Sequence, residues 1–147
     1  SMVTTKAGAI ASKMDLYVWI NYLAQNVGFK PSLRMPTPLF NMINGGLHGA
    51  GNLDFQEFWV IPASTKTFAQ SIQEGVEIYL KIGENLAKRG AIHSVGNEGG
   101  YAPNLFTNAD ALEVFVEAIK QTNYSIGRDV FWDSMLRLHL SIKTENM

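Results

Sequence analysis

Three short stretches of this sequence hold residues whose types and spacing could do chemistry. Gly45-Gly46-Leu47-His48-Gly49-Ala50-Gly51-Asn52 combines a glycine-rich backbone with one imidazole. Successive N–H groups in such a turn can cradle an anion, with His48 as a further donor; the same composition also serves a plain tight turn. Gln56-Glu57 sets two polar side chains inside the run Phe55-Gln56-Glu57-Phe58-Trp59-Val60-Ile61. Neighbouring strand residues point to opposite faces, so at least one of the pair enters an interior and needs a partner there. Asn97-Glu98-Gly99-Gly100 holds a carboxylate among small residues at a loop, where it can act as a general acid or lie solvated. His93 and His139 have no partner at metal-ligand spacing and read as structural or exposed.

The elements that must position these residues follow from hydrophobic spacing. Residues 4–26 read as helix in two pieces, the first capped by Thr4 or Thr5. Leu16, Trp19, Ile20 and Leu23 form the stripe of the second, which stops at Asn26-Val27-Gly28. Pro31, Pro36 and Pro38 make residues 30–38 an extended connector. Leu39 to Ile43 and Phe55 to Ile61 read as strands with the glycine turn between them. The longest helix spans 65–89, capped by Ser64 or Thr65, with Phe68, Ile72, Val76, Tyr79, Leu80 and Leu86 as its buried stripe. Thr107 with Asp110 resembles a capping box, and Leu112, Phe115, Val116 and Ile119 lie inside the helix it opens. A strand begins at Asp129-Val130-Phe131, and Leu136, Leu138, Leu140 and Ile142 alternate with polar residues in a tail that allows a further strand. The class is α/β.

Composition excludes several functions. Twelve Lys plus Arg against thirteen Asp plus Glu leave a net charge of -1, which argues against nucleic-acid or membrane-surface binding. The absence of Cys removes disulfides, thiolate catalysis and cysteine-ligated metals. No apolar run nears the roughly 20 residues of a membrane span. The N-terminus lacks a signal-peptide pattern, so the expected location is cytoplasmic. Ser1-Met2 reads as a cloning scar. The 147 residues fit one domain, yet charged residues make up only 17% against an average of about 25%. A small chain has a high surface-to-volume ratio, so such low charge implies surface meant to be covered.

In order, the motifs closely resemble enolase (phosphopyruvate hydratase). Pro36-Thr37-Pro38-Leu39-Phe40-Asn41-Met42-Ile43-Asn44-Gly45-Gly46-Leu47-His48 is similar to its first barrel strand and the loop after it. Phe55-Gln56-Glu57-Phe58 is similar to its second strand, and Gly96-Asn97-Glu98-Gly99-Gly100-Tyr101-Ala102-Pro103-Asn104 to its acidic glycine loop, where Asn97 stands in place of the usual Asp. The resemblance runs from about Ala7 to Phe131. It implies a TIM-like barrel fold and the dehydration of 2-phosphoglycerate to phosphoenolpyruvate with Mg²⁺. Glu98 is then the acid that protonates the leaving hydroxide, Glu57 supports it and also meets the substrate, and His48 and Gln56 contact the substrate. The metal-binding carboxylates and the Lys base lie on later strands of that barrel. A closed eight-stranded barrel takes about 200 to 250 residues, so the expectation is a partial barrel: helix, strand, strand, helix, helix and a short strand or irregular tail.

Residues 3–131 are expected to be the N-terminal part of the barrel domain, and 132–147 a tail foreign to the family. After Phe131 the family continues like Leu-Gly-Leu-Asp-Ala-Ala-Ala-Ser, whose Asp is a metal ligand. Here Trp132-Asp133-Ser134-Met135-Leu136-Arg137 follows. The codons TTT TTG GGA CTC GAT GCT, less one T, become TTT TGG GAC TCG ATG CT and encode Phe131 to Leu136, which points to a frameshift. The expected protein binds no metal, is inactive alone and self-associates into a homo-oligomer. Two alternatives are a structural interaction module with no catalytic role and an enzyme active only when several chains complete one site.

Overall fold

The computed structural model describes residues 1–49 and 51–136, the side chains of His48, Met135 and Leu136 excepted. Leu136 is the last residue described, and the rest of the expected tail strand, from residue 137 onward and with His139, lies outside the described residues. The chain forms two units, Ser1–Pro36 and Thr37–Met147. None of the described helices is long and apolar enough to cross a membrane.

The first unit is a pair of helices, α1 (Met2–Ala11) and α2 (Leu16–Asn26). The break after residue 11 agrees with the two-piece reading, but Thr4 and Thr5 do not cap. The N-cap is Ser1, and the Thr5 hydroxyl lies inside the first turn, donating to the Ser1 carbonyl at 2.9 Å. The contact between the helices is narrow: Gly8 leaves room for the Trp19 indole, which a Cβ would meet at 2.9 Å. Leu16, Ile20 and Leu23 of the expected stripe stay exposed, and Trp19 is half-buried. Gly28 closes α2 at φ +90, a conformation that suits glycine.

The second unit is α/β. Its elements run β1 (Phe40–Asn44), a 3₁₀ turn (Gly46–His48), β2 (Phe55–Pro62), α3 (Phe68–Lys88), α4 (Asn108–Lys120) and β3 (Val130–Leu136). The three strands form an open antiparallel sheet in the order β1-β2-β3. Register assigns the faces. Phe40 opposes Val60 and Ile43 opposes Phe58, while Asn41 opposes Trp59 and Asn44 opposes Glu57, an irregularity at Met42 keeping each class in step. Val60, Phe58 and Ile43 are buried in one core with Ile78, Ile82 and Leu86 of α3 and Val114, Phe115 and Ile119 of α4. The opposite face carries Asn41, Asn44, Glu57 and Trp59. Helices α3 and α4 pack on the apolar face.

The long helix buries a different stripe from the one its apolar residues suggest. Ser71, Glu74, Gly75, Ile78, Ile82, Asn85 and Leu86 are buried, whereas Phe68, Ile72, Val76 and Leu80 are exposed and Tyr79 is half-buried. Close approach decides the matter. Phe40 lies against Gly75, where a Cβ would come within 2.7 Å of its ring, and Tyr101 lies against Gly83. The small residues mark the docking face, and the helix keeps a second apolar stripe turned away from the sheet. The cap is Thr67 rather than Ser64 or Thr65. It forms a reciprocal capping box with Gln70, a device typically worth about 1 kcal/mol. In α4 the Thr107–Asp110 box forms as expected, but the buried face is Ala111, Val114, Phe115, Ala118 and Ile119, leaving Leu112 and Val116 half-buried.

One charge sits in this core. Glu74 is fully buried and pairs with Lys66, whose ammonium also lies 4.6 Å from the centroid of the Tyr124 ring. The other Glu74 carboxylate oxygen has no partner among the described residues. Burial raises the Glu74 pKa against the opposing pull of Lys66, with the charges of Asp129 and Glu77 adding to the rise. Losing one partner of a buried pair strands the other, so Lys66→Ala should cost about 3–5 kcal/mol in urea unfolding. The pH dependence has a definite sign. A carboxyl with a raised native pKa binds its proton more tightly folded than unfolded, so its contribution improves as pH falls toward 4.5. Asp129, held down by Arg128, and Glu77, held down by Gln73 and Tyr124, contribute in the opposite sense. The stability of the native chain relative to Glu74→Gln should therefore rise as pH falls from neutral toward 4.5. A constant difference would contradict the assignment.

Candidate functional site

The glycine-rich turn after β1 closes on its own backbone. Gly45 N–H donates to the Gln56 carbonyl at 2.9 Å, Gly46 N–H to the Leu53 carbonyl at 2.8 Å and Gly49 N–H to the Gly46 carbonyl at 3.4 Å. Those three donors are spent on the hairpin and do not form a free anion cradle. Gly46 adopts φ +53, and a Cβ on Gly45 would strike the Phe55 carbonyl, so the glycines serve tight closure. His48 ends the 3₁₀ turn.

Gln56 and Glu57 stand where β2 meets this turn, both half-buried. Glu57 lies on the uncovered face, and the Trp59 indole N–H, two residues along the same face, donates to Glu57 Oε2 at 2.6 Å. The partner that Glu57 finds is a side chain.

The loop that carries Glu98 is held by backbone. Gly96 N–H donates to the Gly100 carbonyl at 2.8 Å and Gly99 N–H to the Gly96 carbonyl at 3.0 Å, with Gly99 at φ +87. Tyr101 then runs beside β1: its N–H donates to the Met42 carbonyl at 2.8 Å, and its carbonyl accepts from Asn44 N–H at 2.7 Å. Its ring stacks on Tyr79 of α3 at 4.4 Å and 16°, and the Tyr79 hydroxyl donates to the Gly99 carbonyl at 2.9 Å. Burial pushes the Tyr101 hydroxyl up to about 12, so it stays neutral near neutral pH. The loop delivers the exposed carboxylate of Glu98 to Asn41, whose Nδ2 donates to Glu98 Oε2 at 3.3 Å.

Glu98 lines a pocket with Asn41 and Met42 of β1 and Gly75, Val76 and Tyr79 of α3. Asn41, the partner of Glu98, opposes Trp59, the partner of Glu57. Asn41, Asn44, Tyr79 and Gly83 are the site residues that sequence reasoning missed. Two Asn three residues apart in an apolar strand were a usable signal, because a buried amide needs partners. His93 is exposed, with Nδ1 3.2 Å from the Ala91 carbonyl.

Two helices on one side of a β-sheet, with polar and acidic groups gathered on the other, define part of an α/β-barrel domain. Residues 32–135 match the model of the enolase C-terminal TIM barrel domain, and the chain belongs to that family. Its open three-stranded sheet is an incomplete version of that barrel. The family binds Mg²⁺. Among the described residues, no three His, Cys, Asp or Glu side chains come together as a group able to hold a metal ion, so the residues described here do not fit that ion.

The site depends on Tyr101 keeping its seat against α3. Gly83→Ala places a methyl group where the Tyr101 hydroxyl lies. It should lower stability by about 1–3 kcal/mol and alter the tyrosine near-ultraviolet circular dichroism. An unchanged spectrum would show that the stack does not hold the loop.

Proposed function

We propose that this chain carries the proton-donating side of a phosphopyruvate hydratase site and does not turn over 2-phosphoglycerate by itself. The observation that carries the reading is the Glu98 loop, bound to β1 through Tyr101 and presenting Glu98 to Asn41, which opposes Trp59, the partner of Glu57. In this reading Glu98 protonates the departing hydroxide of 2-phosphoglycerate, since hydroxide leaves slowly without a positioned acid. Glu57 supports that acid and meets the substrate, held by the Trp59 indole. Gln56 and His48, at the mouth of the hairpin, contact the substrate. Among the described residues no group of three His, Cys, Asp or Glu could hold a metal ion, so none of them supplies a cation to neutralise the charge that develops on the substrate as phosphoenolpyruvate forms. That electrostatic contribution is usually the largest in such reactions.

The same reading places residues 3–131 in the barrel domain and treats 1–2 as a cloning scar. It assigns residues 132–147 to a displaced reading frame; coding DNA that cannot encode the family peptide in the other frame would remove this idea. A cytoplasmic location goes with the glycolytic reaction. Homo-oligomer formation goes with the exposed Phe131 and Trp132 on the edge strand β3, because an uncovered edge invites pairing. Sedimentation as a monomer at high concentration would exclude it.

The direct test is to add Mg²⁺ and 2-phosphoglycerate to the chain and follow ultraviolet absorbance of the enol product. Absorbance should stay at background. Turnover abolished by Glu98→Gln would keep the role of Glu98 and overturn the inactivity.

A further inference from the structure

We propose that Trp59 is a positioning residue for Glu57: its indole N–H holds the carboxylate in one orientation and so fixes how Glu57 meets the substrate. The proposal rests on the reading of Glu57 as a substrate contact and deepens it.

The contact has one sense only. An indole nitrogen carries a single hydrogen and accepts nothing, and a carboxylate only accepts. Trp59 therefore donates and Glu57 Oε2 receives, at 2.6 Å, a short bond of the kind a charged acceptor makes. The two residues stand i and i+2 on β2, so they share a face, with their backbones about 6.6 Å apart. To reach the indole, the Glu57 side chain leans along the strand rather than standing straight off it. It leans from the row it shares with Asn44 toward the row that holds Asn41 on β1 and Asp133 on β3.

Packing alone does not ask for an indole here. Trp59 is half-buried in a row whose other members are an amide and a carboxylate, and the apolar core fills the opposite face. A phenyl ring would cover the same stretch of sheet; what it lacks is the N–H. Glu57 is half-buried too, on a side chain with much rotamer freedom to lose, whereas an indole is rigid and turns about two bonds only. Tying the flexible group to the stiff one places the carboxylate before the substrate arrives, and that placement is what a group acting on a bound molecule contributes.

Nuclear magnetic resonance on the labelled chain tests this without needing turnover. The chain has three indole N–H signals, from Trp19, Trp59 and Trp132, and Trp59→Phe identifies the one that matters. The other titratable groups on neighbouring elements are Asp133 opposite Trp59 on β3, Glu98 on the loop bound to Asn41 and His48 at the end of the turn before β2. The Trp59 signal should move as a carboxylate titrates in the native chain, in Asp133→Asn and in Glu98→Gln, and stay flat in Glu57→Gln. A signal that does not move in the native chain, or that moves equally in Glu57→Gln, overturns the proposal.

The Glu57 carboxyl carbon signal gives a second measurement that needs no change at Glu57. Adding 2-phosphoglycerate should shift it in the native chain, and Trp59→Phe, with the Trp19 and Trp132 signals unchanged, should require about tenfold more ligand for the same shift. Equal titrations in the two chains overturn the positioning role and leave the reading of Glu57 in place. A Glu57 signal that 2-phosphoglycerate does not move in either chain overturns that reading, and the role of Trp59 toward substrate falls with it.

Discussion

The site depends on the β-bridge between Tyr101 and Ile43. Between residues 95 and 100 the chain contains three glycines, and such a segment loses much conformational freedom when it is held in one shape. What holds it is Tyr101, joined to β1 by one hydrogen bond given to Met42 and one taken from Asn44. Backbone pairing fixes the loop in register with β1, and the stack on Tyr79 fixes it against α3. Glu98, three residues earlier, is thereby placed within reach of Asn41. Remove the bridge and the acid becomes an ordinary exposed loop residue.

The same bridge explains why the helical side is built as it is. Gly75 and Gly83 bring α3 close to Phe40 and Tyr101, and larger residues there would lift the helix off β1 and the loop together. The core then fills with Phe58, Val60, Ile78, Ile82 and Phe115. The opposite face of the sheet keeps the amides and carboxylates. Apolar surface remains on the far side of α3 and along β3, where Phe68, Val76, Leu80, Phe131 and Trp132 are exposed.

Much of this was legible in the sequence because the signals were local. Strand runs, the Thr107–Asp110 box and the proline connector each depend on a few adjacent residues. The buried face of α3 was not legible. Counting apolar residues chose Phe68, Ile72, Val76, Tyr79, Leu80 and Leu86, of which Leu86 is buried and Tyr79 half-buried, whereas the contact is set by two glycines and by Glu74, which pairs with Lys66 from the preceding loop. Of the site, Gln56, Glu57 and Glu98 could be picked out by type, and His48 was placed only as far as its turn. Asn41 and Asn44 acquire meaning only when strand register and the distant loop are known together. The glycine turn left an anion cradle and a plain tight turn both open in the sequence, and the carbonyls of Gln56, Leu53 and Gly46 decide for the turn.

Amide hydrogen exchange at Tyr101 and Asn44 tests the central claim most directly. If the acid loop is part of the sheet, both amides are protected to the same degree as those in the β1–β2 ladder and open with it. Exchange of the Tyr101 amide at the rate of an open loop, while the ladder stays protected, would show that Glu98 is not held in place and would contradict the account.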